Sequence, residues 1–271
     1  MTTRAVRKRK AKMTADLQFL AQQAITFHQQ GNLAEAERLY RQILETDPGL
    51  FGPRYYLGLM RLQQGRNNEA IQFLGEALQA SPDDLGALMN HGMALRAAGR
   101  AAEALTSFER VLAIHPNMPE ALYNRGVVLA DLQRYEEAVE AYDRALVMQP
   151  EMVVAMVNRA AALTTLNRLD DALTAYDRAL RIQPSNVMAL NNRGLALRAL
   201  RRLPEAVQSY ERALALQPDY TGARYNLAVA MLDQQRAGEA LVAFDAVMAE
   251  RPNDAELLNN RGSVMETEAS G

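Results

Sequence analysis

Small and apolar residues recur along the chain in short blocks at helical spacing. One stretch shows the pattern: Leu122, Gly126 and Leu129 are four and three residues apart, and Ala138 and Tyr142 continue it in a second block. Steps of three and four place each set on one face of an α-helix. Each pair of blocks therefore predicts two amphipathic helices joined by a short turn.

The paired blocks repeat every 34 residues. Three features mark the repeat: a closing proline, an alanine in the second block, and a large side chain, mostly aromatic, four residues after that alanine. The prolines are Pro48, Pro82, Pro116, Pro150, Pro184, Pro218 and Pro252. The alanines are Ala36, Ala70, Ala104, Ala138, Ala172, Ala206 and Ala240. The large side chains are Tyr40, Leu74, Phe108, Tyr142, Tyr176, Tyr210 and Phe244. If Leu17 is position 1 of the repeat, these three sets occupy positions 32, 20 and 24.

This 34-residue pattern resembles the tetratricopeptide repeat. The resemblance covers residues 17–265 and implies an all-α fold, a right-handed α-solenoid of antiparallel helix pairs whose units pack mainly against their neighbours. We predict the solenoid over residues 14–265, with a tail at 266–271. Seven full units begin at Leu17, Phe51, Leu85, Pro119, Val153, Val187 and Thr221, and a half-unit begins at Ala255. The half-unit is either a capping helix or the start of a truncated repeat, and its interior-like sequence favours truncation.

Small residues and turns divide each unit. Glycine or alanine at position 8 predicts close packing of the first helix on the second, beside the large side chain at position 24. Gly31, Gly65 and Gly99 separate the two blocks of the first three units and predict left-handed turns there. Four other residues replace glycine at this place, which favours a different turn conformation: Gln133, Asn167, Arg201 and Gln235.

Charge is distributed unevenly. Six basic residues precede the first acidic one, Asp16, although the formal net charge of the chain is −2. All three lysines lie among these six, so the rest of the chain has no lysine for Schiff-base or Walker-type phosphate chemistry. We predict that residues 1–13 form a flexible, solvated basic tail. Contact of the tail with nucleic acid, an acidic membrane surface or the acidic body of the protein is the weaker alternative.

Nothing in the sequence indicates catalysis. His28, His91 and His115 occupy unrelated positions in their units, and the chain has no cysteine. No metal or triad constellation follows from them. No apolar run approaches the roughly 20 residues that a spanning helix needs. We therefore predict a cytoplasmic protein that is not an enzyme and has no cofactor, metal site or small-molecule substrate.

Asparagine occupies position 6 in six consecutive units. The asparagine series is Asn90, Asn124, Asn158, Asn192, Asn226 and Asn260. Asparagine in a helix interior costs up to about 0.7 kcal/mol relative to alanine, so a compensating role is expected. A side-chain amide has both a donor and an acceptor and can pair with the backbone of an extended peptide. Hydrogen bonds between helices, or simple duplication of a unit, are the alternative explanations.

The series also resembles the asparagine ladder in the tetratricopeptide arm of O-GlcNAc transferases, which holds peptide backbone in a concave groove. That resemblance implies a groove lined by the first helices. Five further residues are predicted to line it: Tyr55, Tyr123, Tyr225, Arg96 and Arg198. Packing of part of this stripe between units is an equal alternative.

Arginine follows the asparagine in four of these units. The four residues are Arg125, Arg159, Arg193 and Arg261. We favour a structural role for them, with the stem packed and the guanidinium reaching acids such as Glu137, Asp171 or Glu205. Recognition of an acidic ligand motif is the alternative.

Together these patterns predict a protein–protein interaction scaffold that binds an extended peptide or protein segment through the asparagine series. One alternative is the substrate-recognition arm of a glycosyltransferase resembling the O-GlcNAc enzymes. The other is a scaffold that self-assembles into a homo-oligomer through its edges.

Overall fold

The computed structural model describes residues 3–248, 257–262 and 264, and these residues contain α-helices and no strand. The chain divides into two compact units, residues 1–132 and 133–271. Among the described helices, none is long and apolar enough to cross a membrane.

The first unit contains seven helices. They are α1 (Thr3–Gln29), α2 (Leu33–Thr46), α3 (Phe51–Gln63), α4 (Asn67–Ala80), α5 (Leu85–Ala97), α6 (Ala101–Ile114) and α7 (Pro119–Asp131). Successive helices pack on each other, and α3 also contacts α1 and α5. Because the connections are a few residues long, neighbouring helices run antiparallel.

The second unit contains α8 (Tyr135–Met148), α9 (Val153–Thr165), α10 (Leu169–Ile182), α11 (Val187–Ala199), α12 (Leu203–Leu216), α13 (Thr221–Asp233) and α14 (Ala237–Met248). Residues 257–262 are helical as well. In both units the first helix of each complete repeat after the first begins at the residue where a repeat is predicted to begin. Two of these starts have a side-chain cap: Asp84 Oδ1 accepts from Ala87 N at 2.8 Å, and Asn186 Oδ1 accepts from Ala189 N at 2.9 Å.

Helix α1 differs from the expectation of a flexible tail at residues 1–13. It begins at Thr3 and has 27 residues, whereas α3 has 13. Residues 3–13 contain neither glycine nor proline, and arginine, lysine, alanine and methionine are strong helix formers. The helix therefore continues toward the N-terminus beyond the first predicted repeat.

The turns between first and second helices share one conformation. Gly31, Gly65 and Gly99 have φ of 76°, 70° and 76°, as expected. The prediction of a different turn at the four later sites is wrong, because the residues there have left-handed φ values too: Gln133 (60°), Asn167 (57°), Arg201 (59°) and Gln235 (63°). At a glycine turn, Arg66 N donates to Arg61 O at 2.8 Å, and Arg202 N donates equivalently to Leu197 O at 2.9 Å. These helix-ending bonds hold the backbone in a region that costs a non-glycine residue roughly 1–2 kcal/mol.

Close packing at position 8 is confirmed at two of its glycines. A Cβ atom on Gly92 would lie 2.7 Å from Phe108 Cζ, and one on Gly194 would lie 2.5 Å from Tyr210 Cε1. Both rings belong to the second helix of the same repeat and are fully buried. The absence of a side chain at position 8 is therefore what allows the ring at position 24 to lie against the first helix.

The first unit also contains a buried cation. Arg61 is only 2 % exposed, and its guanidinium contacts Glu37 Oε1 at 2.5 Å and Glu69 Oε2 at 3.1 Å. The hydrogen bond from Arg61 lowers the pKa of the Glu37 carboxyl. Other repeats have phenylalanine, leucine or methionine at this position, so the ion pairs are particular to the packing of α2, α3 and α4.

Candidate functional site

The asparagine series lies on the first helices, and none of the six side chains is fully buried or fully exposed. Asn90 is on α5 in the first unit. Its Nδ2 donates to Tyr55 Oη on α3 at 3.3 Å and to Gly86 O, one turn earlier in its own helix, at 2.8 Å. Both amide hydrogens are thus engaged within the protein. Asn90 Oδ1 accepts no hydrogen bond from the described residues, so only the acceptor of this amide is left for a guest.

Two asparagines of the second unit repeat this contact between neighbouring first helices. Asn226 Nδ2 donates to Asn191 Oδ1 at 2.9 Å, and Asn260 Nδ2 donates to Tyr225 Oη at 2.8 Å. The acceptor is in each case 35 residues earlier, at position 5 of the preceding repeat. Position 6 is therefore tied to position 5 at three sites, which include the predicted site residues Tyr55 and Tyr225.

Asn192 belongs to a longer network in the second unit. Its Oδ1 accepts from Asn191 Nδ2 at 3.0 Å. Burial raises the pKa of Tyr176 to about 12, and hydrogen bonds with Thr164 and Asn192 offset part of the rise. The amides of Asn226, Asn191 and Asn192 thus form a chain that reaches a buried phenol. In this part of the series the amides hold helices together.

Asn124 lacks such a contact because position 5 of the preceding repeat is Met89, which offers no comparable acceptor. Its Nδ2 donates to Glu120 O in its own helix at 2.8 Å. Among the residues that the structure describes, Asn124 Oδ1 accepts no hydrogen bond. One donor hydrogen and the acceptor oxygen of Asn124 are therefore available to a guest.

A cavity of about 380 Å³ lies at Asn124 in the first unit. It is bordered by three first helices, with Leu62 from α3, Met93, Arg96 and Ala97 from α5, and Asn124 and Asp131 from α7. Its apolar side chains and single free amide suit a protein guest, since peptide-binding sites combine apolar anchoring with a few polar groups.

The two predicted groove arginines are held in ion pairs. Arg96 Nε lies 2.5 Å from Asp131 Oδ2, and Arg198 Nε lies 2.6 Å from Asp233 Oδ2. Both pairs again join neighbouring first helices, from position 12 of one repeat to position 13 of the next. Each arginine is partly exposed, so the pair lines its helix face but presents little net charge there.

The remaining predicted site residues, Tyr123 on α7 and Asn158 on α9, are both partly buried. The signal that sequence reasoning missed is the 35-residue spacing between positions 5 and 6 and between positions 12 and 13. Methionine at position 5 leaves Asn124 without an acceptor, whereas the tyrosines and the asparagine that precede Asn90, Asn226 and Asn260 bond these amides to a neighbouring helix.

The arginines that follow the asparagines form ion pairs within the protein, as was favoured, but the predicted partners are wrong. Arg159 Nε contacts Asp143 Oδ1 at 2.5 Å, and Arg193 Nε contacts Asp177 Oδ1 at 2.6 Å. The acid is 16 residues earlier, in the preceding second helix. Acids such as Asp171 instead pair with an arginine three residues before them, at the start of their own helix.

Comparison with known proteins agrees with this architecture. One model of the tetratricopeptide repeat matches residues 89–153, 134–187 and 157–221, and another matches residues 27–90 and 197–259. No curated protein matches the chain.

Solved structures match as well. A tetratricopeptide repeat protein from Parabacteroides merdae is 19 % identical over 92 % of this chain and 98 % of its own, with a TM-score of 0.73. TTC0263, a thermophilic protein of Thermus thermophilus, is 28 % identical over 67 % of this chain and 99 % of its own, with a TM-score of 0.55. YrrB, described as having an unusual peptide-binding site, is 20 % identical over 68 % of this chain and 95 % of its own, with a TM-score of 0.57.

Stacked helix pairs with the same residues at fixed offsets define an all-α repeat protein, a class of protein–protein interaction scaffolds. The chain belongs to the tetratricopeptide repeat family. Repeats of this family typically serve as non-catalytic scaffolds.

Proposed function

We propose that the protein holds an extended segment of a protein partner against its first helices, and that Asn124 is the residue that pairs with the guest backbone. The observation that carries the proposal is the amide of Asn124, which bonds no other helix among the described residues and borders a cavity of about 380 Å³. A free amide beside an apolar cavity supplies the two requirements of extended-peptide recognition, backbone pairing and a side-chain pocket.

The guest backbone is expected to donate an N–H to Asn124 Oδ1 and to accept the remaining Nδ2 hydrogen at a C=O group. These contacts do not depend on the guest sequence, because every non-proline residue has both groups. An extended guest advances about 3.3 Å per residue, so a side chain next to the paired residue falls within reach of the cavity.

The cavity favours an uncharged, apolar guest side chain. Leu62, Met93 and Ala97 supply its apolar surface. Arg96 and Asp131 neutralise each other across it, so a charged guest group would lose hydration without gaining an unpaired partner. A preference for an apolar side chain is therefore expected at one guest position only, next to the residue whose backbone binds Asn124.

The description of YrrB as a protein with a peptide-binding site supports the class of ligand. In the second unit, Asn226 and Asn260 each keep one Nδ2 hydrogen and an Oδ1 that accepts no hydrogen bond from the described residues, but each amide already bonds a neighbouring helix. In the first unit, both Nδ2 hydrogens of Asn90 are engaged, so Asn90 cannot pair with both the N–H and the C=O of a guest residue.

The test uses 12-residue peptides selected on the wild-type protein from a random displayed library, with affinity measured by calorimetry. Asn124→Ala is expected to weaken the best peptide about tenfold, since a lost hydrogen bond with a partner left unpaired costs on the order of 1–2 kcal/mol. The fold should persist, because the hydrogen bond lost is within α7. The control, Asn90→Ala, is expected to lower stability and to change affinity by less than twofold.

Peptides carrying one N-methylated amide each complete the test. At one peptide position, N-methylation should abolish binding to the wild-type protein. The same methylation should not lower the affinity of Asn124→Ala any further, because both changes remove the same contact. If the effects of methylation and of Asn124→Ala are additive at every peptide position, Asn124 does not pair with the guest backbone.

The glycosyltransferase arm and the self-assembling scaffold stay predictions. Light scattering over a range of protein concentrations tests the second, since self-assembly requires the mean mass to rise with concentration.

A further inference from the structure

A second cavity lies in the second unit, away from the asparagine series. It measures about 390 Å³ and is bordered by α8, α9 and α10. Its lining includes Asp143, Val147, Met156, Arg159, Ala175 and Arg178. Apolar side chains and two guanidinium groups therefore share one small space.

Arg159 has unused hydrogen-bond donors because this repeat has alanine where the next repeat has serine. Its Nε contacts Asp143, and within the described residues its two terminal nitrogens have no partner. The equivalent residue one repeat later, Arg193, contacts Asp177 in the same way but also donates from Nη1 to Ser209 Oγ at 2.7 Å. Ala175 stands where Ser209 stands in that repeat, so the hydroxyl that would engage Arg159 is missing.

Arg178 is fixed in place and yet not fully engaged. Its Nη2 donates to Pro150 O at 2.7 Å, which ties α10 to the loop before α9. Among the described residues no partner occupies its other nitrogens. An arginine held by one bond is pre-organised for a second, so it loses little side-chain entropy when it binds an anion.

The rest of the lining adds an apolar surface and a net positive charge. Met156 is almost fully buried, and Val147 is 72 % exposed. The next repeat has Arg181 where this one has Val147, so the equivalent place in that repeat is not apolar. Two guanidinium groups against the one carboxylate of Asp143 leave a charge of +1 around the space.

We propose that this cavity binds the C-terminal residue of a peptide, with the carboxylate on Arg159 and Arg178 and an apolar side chain against Val147, close to the buried Met156. Guanidinium groups match the planar geometry of a carboxylate, and charge-assisted hydrogen bonds are stronger than neutral ones. The volume lies within the range of small-ligand pockets. The proposal does not depend on the role of Asn124.

The probe is N-acetyl-leucine, which carries both the carboxylate and the apolar side chain, and the matched control ligand is N-acetyl-leucinamide. Protein labelled with carbon-13 at the methionine methyl groups reports binding by nuclear magnetic resonance, and the signal of Met156 is assigned by its loss in Met156→Leu. The acid is expected to shift the Met156 signal saturably, with a Kd at least tenfold lower than that of the amide.

Two variants that exchange the residues of equivalent repeat positions test whether the acid binds at this cavity and not elsewhere on the protein. Ala175→Ser gives Arg159 the hydroxyl that Arg193 has, and it is expected to weaken the acid at least tenfold while leaving the fold unchanged. The matched control, Ser209→Ala, should leave the Met156 titration as in the wild type. Equal responses to the acid and the amide, or an unchanged Kd in Ala175→Ser, would overturn the proposal.

Discussion

Single residues at the same position of the repeat have different hydrogen-bonding environments. Tyr176 and Tyr210 both occupy position 24 and are buried. The hydroxyl of Tyr176 bonds with Thr164 and Asn192. Among the described residues, the hydroxyl of Tyr210 is buried without a partner, and so is that of Tyr40. A buried polar group without a partner costs roughly 1–3 kcal/mol, so a repeated tyrosine is stabilising at one site and costly at another.

This difference predicts opposite effects of one substitution. Tyr210→Phe is expected to raise the free energy of unfolding by about 1 kcal/mol, because it removes an unsatisfied hydroxyl and keeps the ring. Tyr176→Phe is expected to lower it by about 1 kcal/mol, because Asn192 and Thr164 lose their partner. Urea unfolding followed by circular dichroism measures both. Phe108 and Phe244 occupy the same position and show that the ring fits without a hydroxyl.

The asparagine series shows what sequence can predict about the site. The six positions follow from the period alone, and their location on the first helices follows from helical spacing. The hydrogen bonds do not, because each depends on a residue 35 positions away and on the rotamers of both side chains. Met89 is an ordinary apolar residue in the sequence, and only the packing of α5 beside α7 gives it the role of leaving Asn124 without an acceptor.

At the scale of helices, the period predicts where elements begin but not every turn. A turn with Arg201 looks unlike a turn with Gly65 when propensity alone is considered, because glycine adopts left-handed φ at no steric cost. The same backbone hydrogen bonds close both turns. Tertiary packing of the two helices fixes the turn, and the residue there tolerates the strain.

Contact between paired helices gives a prediction with an internal control. Gly194→Ala is expected to destabilise the protein by about 1–2 kcal/mol, because Tyr210 must move to make room for the methyl group. At Gly262, which has the same position in its repeat, an added methyl group would meet no atom of the described residues within 4 Å. Gly262→Ala is therefore expected to stabilise by up to about 1 kcal/mol through helix propensity alone. Differential scanning calorimetry compares the two, and equal effects would contradict the packing argument.

At the scale of the whole chain, alkaline stability depends on buried tyrosines. Burial raises the pKa of the phenols of Tyr40 and Tyr210 above the ordinary value for tyrosine, and it raises that of Tyr176 to about 12. All three lysines lie at residues 8–12, so lysine titration cannot mask this effect in the repeats. A raised folded-state pKa means that folding opposes ionisation of the phenol.

The contribution of these phenols to stability is therefore expected to be constant below about pH 10, the pKa of tyrosine in an unfolded chain, and to fall as the pH rises toward 12. Urea midpoints at intervals from about pH 8 to about pH 11.5 measure the fall. Tyr176→Phe should reduce the slope, because it removes one of the ionising groups. A slope that is the same in this variant would show that Tyr176 does not resist ionisation in the folded protein.

The long helix α1 has a practical consequence for measurement. Lys8, Lys10 and Lys12 lie within it, and the repeats that follow have no other primary amine on a side chain. Amine-reactive dyes and sensor-chip coupling will therefore attach near one end of the chain only. Immobilised in this way, every molecule presents Asn124 and Arg159 to solution chemically unaltered.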